Sequence, residues 1–347
     1  MTNRVFFVVA LLAVVAGVTL GGQGAGSRQE AVNRPNAQPN PYRTTENWVQ
    51  LPPGMDWAQG TPQQFPGQVV GVDFDAAGNI IVIRRADPPL LKFDPTGRRL
   101  LQRWGEGLFV QTHGLYVDRE GFIWATDSDG REGKGYQVFK FSPEGQVVMT
   151  LGKRGVSSEE PGALVAPTDL TIAPNGDIFI SDGHATGGLN HRIVKYSKDG
   201  RFIKAWGKTG SGPGEFNGPH DIAMDSKGRI FVADRGNSRL QIFDQNGTRL
   251  DEWRQFGRPE VMTIKNDMLY VTDSQSGQRV NAPYRRGIRI GSVNDGIVRY
   301  FLPDTANPES NSSGAVAIGI DRRGDVYTAD IFGEAGGHAH MLKKYVR

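Results

Sequence analysis

Past residue 70 the chain alternates apolar and polar positions with a period of two, breaks at a turn, and alternates again. The pattern Val72-Asp-Phe-Asp-Ala-Ala-Gly78-Asn-Ile-Ile-Val-Ile is the first copy, and it returns around Gly121, Gly176, Gly228, Asn266-Asp267 and Gly324. A two-residue period places alternate side chains on opposite faces of a strand, so each copy predicts a hairpin. A second hairpin follows in each unit, as in Leu91-Lys-Phe-Asp-Pro-Thr-Gly97, Val138 to Gly145, Ile193 to Gly200 and Leu240 to Gly247. Two hairpins make a four-stranded sheet that cannot cover both its faces alone. Six such units, recurring about every 39 to 57 residues, predict an all-β, six-bladed β-propeller.

The sixth unit stops at Leu342-Lys-Lys-Tyr-Val-Arg347 without a fourth strand. A strand from the N-terminal side would complete it and remove two open sheet edges. Asn47-Trp-Val-Gln-Leu51 has the alternation for that closing outer strand.

Arg4 followed by the apolar run Val5 to Leu20 and small residues reads as a signal peptide over residues 1–26. Residues 27–45, rich in Asn, Pro, Gln and Arg, read as a flexible linker, and 46–347 as the propeller. The expected location is therefore periplasmic or secreted, with membrane attachment only if the signal stays uncleaved. The 347 residues carry a net charge of only +3 with cations and anions interleaved, which argues against nucleic acid as a partner. With no cysteine there is no disulfide, no thiolate metal site and no cysteine nucleophile. The glycine run from Gly207 to Gly214 lacks the order of a phosphate loop and reads as a linker, and no G-x-S-x-G elbow is present.

The stretch Gly218-Pro-His-Asp-Ile-Ala-Met-Asp-Ser-Lys-Gly228-Arg-Ile-Phe-Val-Ala-Asp234 resembles the NHL repeat almost throughout. From about Gln63 onward the chain is similar to the peptidyl-α-hydroxyglycine α-amidating lyases. The motifs that carry this are Pro167-Thr-Asp169, Ile180-Ser-Asp-Gly183, Arg192-Ile-Val-Lys-Tyr196 and Pro219-His220-Asp221. That resemblance implies zinc on the propeller axis, held by one histidine from each alternate blade, and removal of glyoxylate from a carbinolamide. His113 and His220 match two of the ligands; the third position, eight residues before Gly324, is Val316. The family's structural calcium (Ca2+) site uses an aspartate where Ala317 stands. Arg85 and Arg235 match arginines of the family's active site, and His184 follows the Ser-Asp-Gly that precedes the family's catalytic tyrosine.

In a propeller, inner-strand starts and the loops after each second strand line one mouth. Counting eight residues before each turn glycine, and aligning Arg258-Pro-Glu260 with Gly218-Pro-His220 for the fifth unit, gives an axial ring of Val70, His113, Thr168, His220, Glu260 and Val316. The loops add Arg85, Asp127, Asp129, His184, Arg235 and the Gly336-Gly-His338-Ala-His340 insertion. A catalytic zinc takes three protein ligands and keeps one open position. His113 and His220 supply two, and Glu260, His338 or His340 a candidate third; alternatively the two histidines cap their strands by hydrogen bonding. His184 is a candidate general base or a polar loop residue. Arg85 and Arg235 would clamp a carboxylate, or else pair with Asp87 and Asp234; His191 is expected to be structural. The reading is an exported metal-assisted lyase on a small carboxylate-bearing or peptide substrate at the axis. The alternative is a non-catalytic scaffold binding a protein, peptide or glycan in the cell envelope. A weaker third is a lactonase or lyase of another propeller family, whose axial metal would want more carboxylates than this ring offers.

Overall fold

The computed structural model describes residues 23–45, 48–57, 67–184, 189–304, 314–330 and 342–347. Their strands form six four-stranded antiparallel sheets, each ordered from an inner to an outer strand. The inner strands are Val69–Phe74, Thr112–Val117, Pro167–Ile172, Pro219–Met224, Met262–Lys265 and Ala315–Ile320. Each inner strand contacts the next, and Val69–Phe74 contacts Ala315–Ile320, so the ring is closed. Six apolar clusters fill the gaps between neighbouring blades; Ile180, Leu170 and Trp124, for instance, join blades two and three. No blade has a core of its own, which is why the repeat must be stacked to be stable.

The ring closes with an N-terminal outer strand, but it is Arg43–Thr45 that pairs with Leu342–Val346, not the 47–51 segment expected. Trp48, Val49 and Leu51 owe their alternation to packing against the core between blades six and one, where Trp48 meets Tyr327 edge-on at 4.9 Å. The true closing strand is exposed at all three positions and carries no apolar signal. The polar 27–45 stretch also lies against the ring. A helix, Gln23–Asn33, sets Arg28 over the Trp253 ring and buries Ala31 among blades four and five. Among the described residues no helix is long and apolar enough to cross a membrane. Residues 1–22, which hold most of the expected signal, lie outside the described residues.

A repeated ion pair fixes the mouth end of the blades. Asp182, Asp234 and Asp273 each accept backbone N–H groups from the segment entering the inner strand. Each also pairs with an arginine of the third strand: Arg192 at 2.9 Å, Arg239 at 2.7 Å and Arg289 at 3.3 Å. In blade two the arginine's place opposite Asp127 is taken by Gln137.

Candidate functional site

Every inner strand begins with a β-bulge, and the bulged residue is the axial one. Val70, Thr168, His220 and Val316 are each skipped in the pairing of inner to second strand. In blade two His113 and Gly114 together face Thr126, and in blade five Glu260 and Val261 both bond Thr272. A bulge leaves one residue unpaired and re-aims its side chain. This is how six strands lying edge-on to the axis turn one side chain each toward it.

The bulges are then bonded to one another. His113 Nδ1 meets the Thr168 carbonyl at 3.0 Å, Thr168 Oγ1 donates to the Pro219 carbonyl at 2.9 Å, and His220 Nδ1 meets the Glu260 carbonyl at 2.9 Å. A carbonyl only accepts, so Nδ1 of both histidines carries the proton and Nε2 presents a lone pair. The two histidines therefore cap the bulges and remain able to bind an ion. Fixing one ring nitrogen by a backbone carbonyl is also how metal-binding histidines are commonly oriented.

His184 completes the group. The loop after Ile178–Asp182 carries it to the axis, where its ring lies 4.8 Å from His113 and 5.1 Å from His220, centroid to centroid. The His113 and His220 rings are 4.6 Å apart. One nitrogen from each of the three lies within 4.8 Å of the other two, and these three histidines could hold a metal ion. Two nitrogens on one tetrahedral zinc, each at about 2.0–2.1 Å, are about 3.4 Å apart, so binding draws the three rings inward by up to about 1.4 Å. The donors are ready: burial holds His113 and His220 well below their ordinary pKa, followed by His220 for the former and Arg235 for the latter. Burial, then Arg235 and Arg85, push His184 down to about 3. All three are neutral imidazoles at pH 7, the form that ligates. A third candidate donor thus stands on blade three, while Val316 is an apolar wall.

Glu260 reaches the same centre without joining the three. Its Oε1 is 3.4 Å from His220 Nε2 and accepts from Arg235 Nη1 at 2.8 Å, and its Oε2 accepts from Ser274 Oγ at 2.8 Å. Arg235 is thus paired with Glu260 rather than Asp234. Arg85 donates from Nη1 to Gln68 Oε1 at 2.8 Å and from Nε to the Thr112 carbonyl at 3.3 Å, and among its described partners Asp87 does not figure. Burial lowers Arg85 to about 10, which leaves it charged. Asp129 lines the cavity, whereas Asp127 turns away to cap Val110 and Gln111. Lacking an arginine, Asp127 is raised by burial to about 7. His191 is buried and its Nδ1 accepts from Gly218, the structural role expected. His338 and His340 lie outside the described residues.

Two features were not foreseen. Arg258 donates to the Arg235 carbonyl at 2.9 Å and to Gln275 at 2.9 Å, adding a third guanidinium beside the mouth. Further in, the axial cavity of about 1000 Å³ passes Asp73, Asp169 and Asp221. Asp169 and Asp221 each leave one buried oxygen without a partner, and burial raises both carboxyls, Asp221 further by the Asp169 charge. Gly114 is required beside them, because a Cβ there would sit 2.4 Å from Asp169 Oδ1. The Pro-x-Asp shared by 167–169 and 219–221 was the available signal. At Ala317 the wall is apolar, so an aspartate ligand for calcium is missing there.

Fold and repeat together set the class: the chain is a six-bladed propeller whose residues 216–243 match the NHL repeat family. It is similar to the peptidyl-alpha-hydroxyglycine alpha-amidating lyase 1 of Drosophila melanogaster, 30% identical over 275 residues, 66% of this chain and 48% of the relative. NHL repeat-containing protein 3 of Homo sapiens is 36% identical over 201 residues, 55% of this chain and 56% of that one. The chain spans about half the length of both relatives. A solved gluconolactonase of Xanthomonas campestris shares the fold, with a TM-score of 0.58 at 14% identity over 89% of this chain and 91% of that one.

Proposed function

We propose that the chain is an exported lyase that cleaves a carbinolamide bearing a carboxylate, as the relative named peptidyl-alpha-hydroxyglycine alpha-amidating lyase is named for doing. The observation that carries this reading is the third histidine: His184 stands with His113 and His220 although Val316 has replaced the expected ligand. An ion such as zinc held there would supply Lewis-acid polarisation of the substrate hydroxyl. Arg85 binds the carboxylate with its planar fork. Glu260 Oε1, the carboxylate oxygen nearest the histidines, takes the hydroxyl proton as the carbonyl forms. The carbon–nitrogen bond breaks, its electron pair stays on nitrogen, and the proton passes to that nitrogen; the products are an amide and glyoxylate. Arg235 and Ser274 hold Glu260 in place. In this reading His184 is a ligand and Glu260 the base. The apolar run Val5 to Leu20 supports export to the periplasm or beyond.

A second reading, a propeller that binds a protein, peptide or glycan without chemistry, draws support from the similarity to NHL repeat-containing protein 3, whose name carries no activity. Metal content of the purified protein, with His113→Ala, His184→Ala and His220→Ala alongside, separates the two. About one zinc per chain, lost in each variant together with glyoxylate release from N-benzoyl-α-hydroxyglycine, supports the lyase. No metal after reconstitution and no glyoxylate leave the scaffold.

A further inference from the structure

The outer strand of each blade pairs on one side only, so its far side is an open sheet edge. Such edges are ordinarily guarded by charged side chains, which resist burial against another strand. Five of the six carry such a guard. Leu100–Trp104 has Arg103, Phe202–Trp206 has Lys204, Arg249–Trp253 has Arg249, Val298–Pro303 has Arg299, and Arg43–Thr45 has Arg43. The blade-two strand, Val147–Leu151, has no charge at all.

The outer strands of blades one to five each begin with a bulge, and the residue skipped in the pairing turns outward. In blades one to four it is Leu101, Val148, Ile203 and Leu250, all 41 to 52% exposed. In blade five it is Arg299, so there the guard sits on the bulge itself. The bulge is shared; what sets blade two apart is its composition. Val148 is 52% exposed and Val147 beside it 45%, and the run from Gly145 to Gly152 is uncharged. Glu144 precedes that run, Lys153 and Arg154 follow it, and all three are exposed.

An apolar edge with an acid at one end and bases at the other is complementary to itself when two copies run antiparallel. About a twofold axis through Met149, Val148 lies opposite Thr150, Val147 opposite Leu151, and Glu144 opposite Arg154 of the second copy. We propose that Val147–Leu151 pairs antiparallel with the same strand of a second copy of this chain, giving a twofold dimer through the outer edge of blade two. The same patch is used on both copies, so the contact closes at two and leaves no further edge of this kind. Five residues a side place it at the small end of specific interfaces, below about 1,200 Å² in total, and the dimer exchanges with monomer. The edge lies three strands out from Thr112–Val117 and its His113, so dimer formation and metal content are separable.

The test is sedimentation velocity of the purified protein from about 1 to 200 μM, the range of a weak interface, with hydrogen exchange alongside. The expected result is a monomer–dimer equilibrium in which amides of 147–151 exchange more slowly as concentration rises. Val148→Lys supplies the missing guard and should weaken dimerisation at least about tenfold, while Leu101→Lys, at the equivalent position of blade one, leaves it unchanged. Glu144→Arg should weaken it as well, and Glu144→Arg with Arg154→Glu should restore it, since the pair is then only reversed. A protein that stays monomeric throughout, with the edge amides exchanging freely, overturns the pairing and leaves the edge to a different chain. A dimer that Val148→Lys does not weaken, that Leu101→Lys weakens equally, or that the double reversal fails to restore overturns it too.

Discussion

The upper and middle parts of the axis meet the same problem with opposite groups. At the mouth three imidazoles, two buried and His184 partly so, stand near Arg85 and Arg235 and shed their protons. Further in, Asp169 and Asp221 are buried beside each other, and burial pushes both carboxyls up so that the pair holds a proton. Burial disfavours whichever form is charged, so both regions are driven to neutrality. The difference lies in what else each group does. Two of the histidines have Nδ1 committed to a backbone carbonyl and Nε2 turned to the axis, an arrangement that serves folding and ligation together. The aspartates leave oxygens unbonded and stay costly. The mouth looks built for a visitor, while the middle is a strain the ring carries.

The largest expected effect comes from breaking the mouth. His184→Ala removes one of three donors, and zinc affinity measured by chelator competition should fall beyond the roughly 10–100-fold typical of outer-shell changes. Glyoxylate release should go with it. His184→Asn keeping full affinity would show that the third donor is elsewhere. Next, Arg85→Lys keeps the charge but loses the fork, and kcat/KM for a carboxylate substrate should drop about ten- to a hundredfold at unchanged metal content.

The middle should respond in the other direction. Both carboxyls have folded pKa values above the unfolded one, so the folded state holds more protons and stability falls as pH rises through the folded values. Asp221→Asn should then raise stability at pH 8 by at least about 1.4 kcal/mol, a rise of a few degrees in Tm. A lower Tm would mean the pair is stabilised by something other than a proton. The smallest effect is the contrast in pH. In chelator-treated protein the histidines are depressed, so the unfolded state binds more protons between about 3 and 6.5 and stability falls with acid across that window. The carboxyls oppose this below 6.5 and act alone above it. His184→Gln should flatten the acid limb by at most about 1.4 kcal/mol per pH unit in a Tm-against-pH series.

The ring was legible because it is periodic. Eight residues before the turn glycine picked out five of the bulged positions without any notion of a bulge, and the sixth, Glu260 in the shorter blade five, came from aligning Arg258-Pro-Glu260 with Gly218-Pro-His220. His184 was seen at the mouth as a candidate general base, but its grouping with His113 and His220 was not. Loop geometry has no period, and only the fold shows that a blade-three loop brings His184 to His113 and His220. Glu260 was placed on the ring, but its attachment to Arg235 and Ser274 brings together segments with no shared pattern. The closing strand was misplaced for a plain reason: Trp48 and Leu51 alternate because they are packed, whereas Arg43–Thr45 pairs through its backbone and leaves its side chains in water.

That closing pairing has a consequence for how the molecule comes into being. Its partners stand roughly three hundred residues apart, so this contact carries nearly the greatest loop-closure cost the chain can present. On a ribosome, or emerging through a membrane pore, the first five blades can stack in order of synthesis. The ring stays an open crescent with two sticky edges until residues 342–346 arrive. Residues 342–346 are therefore the clasp, and removing them should cost the protein more than their number suggests.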